Sequence, residues 1–317
     1  MGMFDNLLKN CRLRLFTLLV SSFLSTSLFA LTISSQRLGY LKRSAIEQSS
    51  TLGVSTEIVQ ASEVQYPKYV GGEIFDISAK SSLAIDVDTG AVLYEKQPQV
   101  SVMPASTSKI ITALVSLDVY DLKKKVVVPS FTIEGQVVGL KSGEVISVND
   151  LLYALLVDSA NDAAEALARN YPGGRDIFVA EMNLKARNLG LTSSIFLNPT
   201  GLDQIGQSTT AQDLVKASFY AMQNPVFEKI VETKNYVIRD ENNNVRYRFT
   251  NTNQLLGEVD GVKGVKTGKT DGAMENLITY IERGNAKVLI AVLGSDDRFR
   301  ETKRLINWLF TSYVWGN

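Results

Sequence analysis

The pattern of hydrophobic and polar positions changes along the chain, and from about residue 75 it predicts a folded domain. Strand-like runs bounded by turn residues occur at 82–87, 91–94, 126–128, 139–148, 236–249 (a hairpin), 262–267, 277–282 and 288–293. Runs with helical spacing occur at 110–115, 150–156, 161–168, 176–189, 210–222 and 298–310. Strands come from both ends of the domain, and helices come mainly from its middle. The sequence therefore predicts a mixed α/β fold of the α+β type, with an antiparallel sheet covered by helices and a helical insertion beside it.

The first 35 residues have a different pattern, which is typical of an export signal. Basic residues at positions 9, 12 and 14 precede an apolar run at 15–33. This run is about as long as a bilayer-spanning helix, and Leu28 occupies the small-residue position of a cleavage site after Ala30. We expect a single-pass anchor, with a cleaved signal peptide as the alternative. Residues 36–74 show no clear period and predict a stalk or linker, and residues 75–317 form the folded domain.

Composition excludes several classes of function. The 33 basic and 33 acidic residues cancel, and no basic cluster offers a surface for a phosphate backbone, so we expect no nucleic-acid partner. The chain has no histidine, which rules out a Ser-His-Asp triad, a Cys-His dyad and a His-ligated zinc peptidase site. The single cysteine, Cys11, precedes the apolar run, so no disulfide forms within the chain. We expect neither a cofactor nor a metal, and an acyl-transfer enzyme of this composition would need lysine as its base.

Ser106 and Lys109 form an S-x-x-K pattern at the start of a predicted helix. Residues three apart lie on neighbouring positions of one helix face, so the amine can take the proton of the hydroxyl. A serine hydroxyl is a weak nucleophile until a base activates it, and lysine serves only if its pKa is depressed. For this pattern alone, a capping serine beside a surface lysine is the preferred interpretation.

Two further segments carry chemistry. Ser159 and Asn161 flank a predicted break between helices, where polar side chains can face a cleft. Lys266, Thr267 and Gly268 end a predicted strand, where a cation, a hydroxyl and a close backbone approach would suit a carboxylate along the strand edge. By itself, the tripeptide Lys266-Thr267-Gly268 is better explained as a solvated strand end and turn. The order of the three segments along the chain favours a common site.

With these three motifs in this order, the chain resembles the penicillin-binding serine D-alanyl-D-alanine carboxypeptidases, the low-molecular-mass penicillin-binding proteins of the peptidase S11 type. The resemblance covers residues 75–317 and is carried by segments at 84–86, 92–94, 104–114, 139–164, 198–203, 251–256 and 260–271. It implies a β-lactamase/transpeptidase-like fold with a five-stranded antiparallel sheet flanked by helices, and a mainly helical subdomain. It also implies a bacterial protein on the extracytoplasmic face of the membrane, with peptidoglycan stem peptides as substrate and β-lactams as covalent inhibitors.

The resemblance implies roles for the first two motifs. Ser106 is expected to attack the carbonyl of the penultimate D-alanine and to form an acyl-enzyme, with Lys109 as general base. Ser159 is expected to relay a proton to the departing amine, and Asn161 to hold Lys109 and the substrate amide.

It also implies roles for the third motif. Lys266 is the second cation that would lower the pKa of Lys109, and Lys266 and Thr267 would hold the terminal carboxylate beside Gly268. The backbone N–H groups of Ser106 and Lys269 would hold the oxyanion. Many relatives have histidine at the position of Lys269, which leaves a backbone role intact but puts pH dependence and substrate preference in doubt. The segment 261–265 looks longer than usual in the family, so the strand register there is open.

The same motifs are also compatible with functions other than carboxypeptidase action. Endopeptidase cleavage of peptide crosslinks would use the same machinery. A rapid β-lactamase needs a glutamate in an E-x-x-L-N setting after the second motif, and residues 170–202 contain no such pattern. An inactive wall-binding module with the same fold is a further alternative, and the intact motif set argues against it.

Overall fold

A five-stranded antiparallel sheet forms the centre of the computed structural model, which describes residues 65–72, 76–240 and 242–316. The strands are β1 (Lys68–Tyr69), β2 (Ser81–Asp86), β3 (Val92–Lys96), β4 (Lys125–Val127), β5 (Val145–Ser147), β6 (Asn235–Arg239), β7 (Val245–Thr250), β8 (Val262–Thr270), β9 (Met274–Arg283), β10 (Ala286–Ser295) and β11 (Tyr313–Val314). The helices are α1 (Lys109–Val119), α2 (Val148–Val157), α3 (Asn161–Arg169), α4 (Gly174–Asn188), α5 (Ala211–Met222), α6 (Pro225–Val231) and α7 (Arg298–Ser312), with a 3₁₀ helix at Ala105–Ser108.

The strand order in the main sheet is β3-β2-β10-β9-β8, and every neighbouring pair is antiparallel. In the middle of the sheet, Val288 of β10 lies opposite Asp86 of β2 on one side and Ile281 of β9 on the other. Strands from the two ends of the domain therefore pair directly. The predicted α+β fold with a five-stranded antiparallel sheet and covering helices is confirmed.

Both faces of the sheet are buried, because successive side chains of a strand point to opposite sides. On β10, Val288, Ile290 and Val292 belong to the smaller core, which α7 covers. Leu289 and Leu293 belong to the larger core, which contains the helical part of the chain. This larger core places α1 to α6 on one side of the sheet, next to the edge strand β8.

Two helix starts differ from the helical runs of the sequence. Helix α2 begins two residues before the run at 150–156, and Ser147 caps it, because its Oγ accepts the Asp150 N–H at 3.0 Å. The runs do not predict α6, which begins at Pro225. Asn224 caps it, and proline fits a first helical turn because its missing N–H would have no intrahelical partner there.

The start of the folded domain lies earlier than residue 75. Strand β1 pairs with β11, with Lys68 opposite Val314 and Tyr69 opposite Tyr313. Part of the predicted stalk therefore packs on the domain, and its remainder lies outside the described residues. The predicted signal or anchor at 1–35 lies outside them as well. Within the part of the chain that the structure describes, none of the helices has the length and apolar character of a membrane span.

Candidate functional site

The serine of the S-x-x-K motif lies in the 3₁₀ helix that leads into α1. The preceding carbonyls of Met103 and Pro104 both accept hydrogen bonds from Asn276 Nδ2, each at 3.0 Å. Asn276 is fully buried on β9 and also accepts the Gly294 N–H at 2.8 Å. The central sheet therefore fixes the backbone that carries Ser106.

Lys109 is the first residue of α1, and its side chain is completely buried. Its Nζ lies 2.8 Å from Ser106 Oγ, 2.7 Å from Asn161 Oδ1 and 2.8 Å from the carbonyl oxygen of Thr200. No side chain caps the start of the 3₁₀ helix or of α1. The alternative of a capping serine beside a surface lysine is therefore wrong.

The surroundings of Lys109 favour the neutral amine. Burial, and then the charge of Lys266, hold the pKa of Lys109 well below its ordinary value of 10.5, while Asp162 opposes the shift. A neutral amine has two N–H donors and one lone pair. The oxygens of Asn161 and Thr200 can only accept hydrogen bonds, so they take both donors. The lone pair is left for the Ser106 hydroxyl, which is the arrangement that a general base requires.

The second motif lies at the predicted break, between the end of α2 and the start of α3. Asn161 is the first residue of α3, and its Oδ1 contacts Lys109 while its Nδ2 donates to the Glu134 carbonyl at 2.7 Å. Ser159 is almost buried and has a φ of 63°, in the left-handed region that non-glycine residues seldom adopt. Such backbone conformations cluster at functional sites.

The lysine of the third motif is also buried. Burial, and then the charge of Arg298, lower the pKa of Lys266 to about 7, and Asp158 opposes the shift. The Nζ of Lys266 donates to the Thr267 carbonyl at 3.0 Å. The hydroxyls of Thr267 and Thr252 share a hydrogen bond of 2.8 Å. An amine and a hydroxyl are thus carried by successive residues of β8.

Gly268 brings β8 against the serine segment. A Cβ built on Gly268 would lie 3.0 Å from the Ser106 backbone nitrogen and 3.0 Å from the Ala105 Cβ. The Gly268 carbonyl accepts Arg298 Nη1 at 2.7 Å. Only glycine allows this approach without displacing the strand or the 3₁₀ helix, as the sequence pattern predicts.

Lys269 follows on the same strand, but its side chain is exposed and pairs with Glu275 at 2.9 Å. The expected oxyanion role of its backbone N–H stays a prediction. The register in front of the motif is irregular: Val262 lies opposite Ile281 and Gly264 opposite Tyr280. The longer segment 261–265 is therefore accommodated by this register shift, before Lys266. Strand β8 then remains paired with β9 through Lys269.

The structure brings the three motifs together. Hydrogen bonds link the first to the second through Lys109 and Asn161, and close backbone packing links the first to the third through Gly268. The sequence missed the Thr200 carbonyl, Asn276 and Arg298. For Thr200 the only signal was its place in the segment 198–203 of the family resemblance, since a backbone acceptor has no residue signature.

Most of the chain is similar to one family of known proteins. The family model described as D-alanyl-D-alanine carboxypeptidase, peptidase S11, matches residues 64–297. The D-alanyl-D-alanine carboxypeptidase DacB2 of Mycobacterium tuberculosis is 36% identical over 245 residues, which cover 74% of this chain and 83% of the relative. A D-alanyl-D-alanine endopeptidase of Escherichia coli is 32% identical over 247 residues, covering 75% and 79%. The solved DD-transpeptidase of Streptomyces K15 superposes with a TM-score of 0.70 at 30% identity, covering 76% of this chain and all of that one, 100%.

Proposed function

The chain belongs to the D-alanyl-D-alanine carboxypeptidase family and is a serine peptidase, and we propose that it removes the last D-alanine from peptidoglycan stem pentapeptides through an acyl-enzyme on Ser106. The fully buried amine of Lys109, 2.8 Å from Ser106 Oγ, carries this proposal. Because Asn161 and Thr200 take its two donors, the lone pair of Lys109 faces the hydroxyl that must lose a proton.

In the first step, Lys109 Nζ takes the hydroxyl proton while Ser106 Oγ forms a bond to the carbonyl carbon of the penultimate D-alanine. The oxyanion that forms is held by the backbone N–H groups of Ser106 and Lys269. Loss of one such donor typically costs about 10²–10³ in rate. The C–N bond then breaks, and Ser159 passes the proton from Lys109 to the departing D-alanine amine. Water finally hydrolyses the ester and restores Ser106.

The terminal carboxylate of the substrate is placed beside Lys266 and Thr267. Burial lowers the pKa of Lys266 to about 7, so its charge at neutral pH is sensitive to the groups beside it. A bound carboxylate favours the ammonium form and raises this pKa, because opposite charges stabilise each other in a buried site. Substrate binding therefore strengthens the positive charge that keeps Lys109 neutral.

The test is covalent labelling followed by turnover. The purified domain is incubated with a fluorescent penicillin, and we expect label on the wild-type protein and none on Ser106→Ala. Release of free D-alanine from a synthetic pentapeptide should disappear in the same variant. Label that persists in Ser106→Ala, or an unlabelled wild-type protein, would contradict the proposal.

Endopeptidase action is the second candidate, because the chain is 32% identical to the E. coli protein that carries that name. The chemistry is the same, and only the group on the departing amine differs. Comparing turnover of the pentapeptide with that of a crosslinked dimer separates the two activities. We expect faster turnover of the pentapeptide, and the reverse order would make crosslinks the substrate.

The proposed location is the extracytoplasmic face of the bacterial membrane, held by the apolar segment at 15–33 as a single-pass anchor. The alternative is secretion after cleavage near residue 30. Intact-mass measurement of the exported protein decides between them: retention of residues 1–30 supports the anchor, and their loss contradicts it.

A further inference from the structure

Asp162, the residue after Asn161, holds a loop of the helical subdomain against the start of α3. Its Oδ2 accepts the N–H groups of Gly139 and Leu140, both at 2.9 Å, and its Oδ1 accepts those of Val138 at 3.3 Å and Ala163 at 3.0 Å. The side chain is almost fully buried, with 4% of its surface exposed. The N–H donors replace the hydrogen bonds to water that the carboxylate loses on burial, so they hold the loop against Asp162.

The same loop, residues 134–140, also holds Asn161. The carbonyl of Glu134 accepts Asn161 Nδ2 at 2.7 Å, and the carbonyl of Gln136 accepts the Asn161 backbone N–H at 2.7 Å. Between them, Gly135 has a φ of 81°, and a Cβ built on it would lie 2.8 Å from Asn161 Nδ2. The loop thus packs directly against the amide group of Asn161.

This packing decides which end of the amide faces the base. With Nδ2 bonded to Glu134, Oδ1 must point towards Lys109 Nζ. In the opposite orientation, Oδ1 would face the Glu134 carbonyl, and Nδ2 would compete with Ser106 for the lone pair of Lys109. An amide held in one orientation therefore reserves that lone pair for the nucleophile.

Resting on the proposed function, we propose that Asp162 is a positioning residue for acylation: it fixes loop 134–140, which orients Asn161 towards Lys109, and its carboxylate offsets the charge of Lys266 at Lys109. The charges of Lys266 and Asp162, on the packed elements, shift the pKa of Lys109, and the charges of Asp158 and Arg298 shift the pKa of Lys266. Lys266 lowers the pKa of Lys109, and Asp162 raises it. Removing its charge therefore leaves a lower pKa at Lys109.

The experiment measures the acylation rate by a fluorescent penicillin between pH 5 and 9 for wild type and Asp162→Asn. The amide cannot accept all four N–H groups, so the loop shifts and the rate falls about 10–100-fold, the typical effect of a displacement near 1 Å. The acid limb of the rate profile moves to lower pH, because Lys109 loses its proton more readily. A purely structural role would slow the reaction without moving this limb.

Asp213→Asn is the matched control. Asp213 is also 4% exposed and lies in the first turn of a helix, and it accepts the Ser193 N–H at 2.9 Å and the Ser194 hydroxyl at 2.8 Å. We expect its acylation profile to coincide with that of wild type.

A wild-type rate for Asp162→Asn, or a slower rate with an unmoved acid limb, would overturn the inference. If Asp162→Asn fails to fold, Gly135→Ala tests the same contact from the loop side, since its Cβ displaces Asn161. A wild-type rate in that variant would overturn the inference too. Absence of acylation in the wild-type protein would instead contradict the proposed function.

Discussion

Replacing Asn276 by alanine should destabilise the fold and slow acylation together. The change removes three hydrogen bonds: a part-buried one from Nδ2 to the Met103 carbonyl, and buried ones from Nδ2 to the Pro104 carbonyl and from the Gly294 N–H to Oδ1. Pro104 keeps a partner, because its carbonyl also accepts the Thr107 hydroxyl at 2.5 Å. The Gly294 N–H loses its bond in a buried site, and the Met103 carbonyl loses its bond in a part-buried one.

Leaving a buried polar group unpaired costs about 1–3 kcal/mol, so the Gly294 N–H alone costs about that much, and the part-buried Met103 carbonyl adds less. A domain is typically stable by about 5–15 kcal/mol, so this is a sizeable fraction of the total. Urea unfolding followed by circular dichroism measures the loss. Because the Met103–Pro104 backbone leads into Ser106, the folded fraction should also be acylated about 10-fold or more slowly.

Asn183→Ala is the control for this measurement. Asn183 likewise donates to two carbonyls, those of Val179 and Phe196, and accepts the Phe196 N–H. It lies on α4 and is not part of the site, so its loss should reduce stability and leave acylation of the folded protein unchanged. A decrease of less than about 1 kcal/mol in the free energy of unfolding of Asn276→Ala would refute the reasoning, and so would a wild-type acylation rate in its folded fraction.

Three further outcomes follow from the geometry. Lys266→Met removes the cation that helps to lower the pKa of Lys109, so the acid limb of acylation should move to higher pH; an unmoved or lowered limb would contradict this. Gly201→Ala should lower the melting temperature, because φ at this position is +84° and the new Cβ would lie 1.8 Å from the Ala105 carbonyl oxygen. An unchanged melting curve would show that the fold does not need the close contact between Gly201 and Ala105. Lys269→Ala should change the acylation rate less than about 3-fold, because the Lys269 side chain is 66% exposed and only its backbone N–H is expected at the oxyanion. A much larger loss of rate would assign a role to the Lys269 amine.

The sheet was predictable because its strands carry clear patterns. Residues 288–293 form a continuous apolar run, and the structure divides them alternately between two cores. The three motifs were predictable because each brings side chains whose chemistry needs a partner, and an enzyme without histidine leaves lysine as the base. The sequence therefore predicted the class of fold and pointed to the residues of the three motifs, whose catalytic roles stay predictions.

Other parts of the site left little signal in the sequence. The Thr200 carbonyl is a backbone group, and any residue at that position would supply it. Asn276 is a single amide in an apolar strand, and its partners are about 170 residues earlier in the chain. Asp162 reads as an ordinary acidic residue in the first turn of a helix, and only the folded loop shows what its carboxylate holds. Contacts of this kind depend on the tertiary structure, whereas the motifs depend on side-chain chemistry alone.

The pH dependence of Ser106 acylation tests the central claim most directly. Intact-mass spectrometry of the wild-type protein with benzylpenicillin, from pH 5 to 11, gives the rate of adduct formation at each pH. If neutral Lys109 is the base, the acid limb must lie well below 10.5, the ordinary pKa of lysine, and acylation must be substantial at pH 7. A rate that stays negligible at pH 7 and rises only as the pH approaches 10.5 would contradict the account.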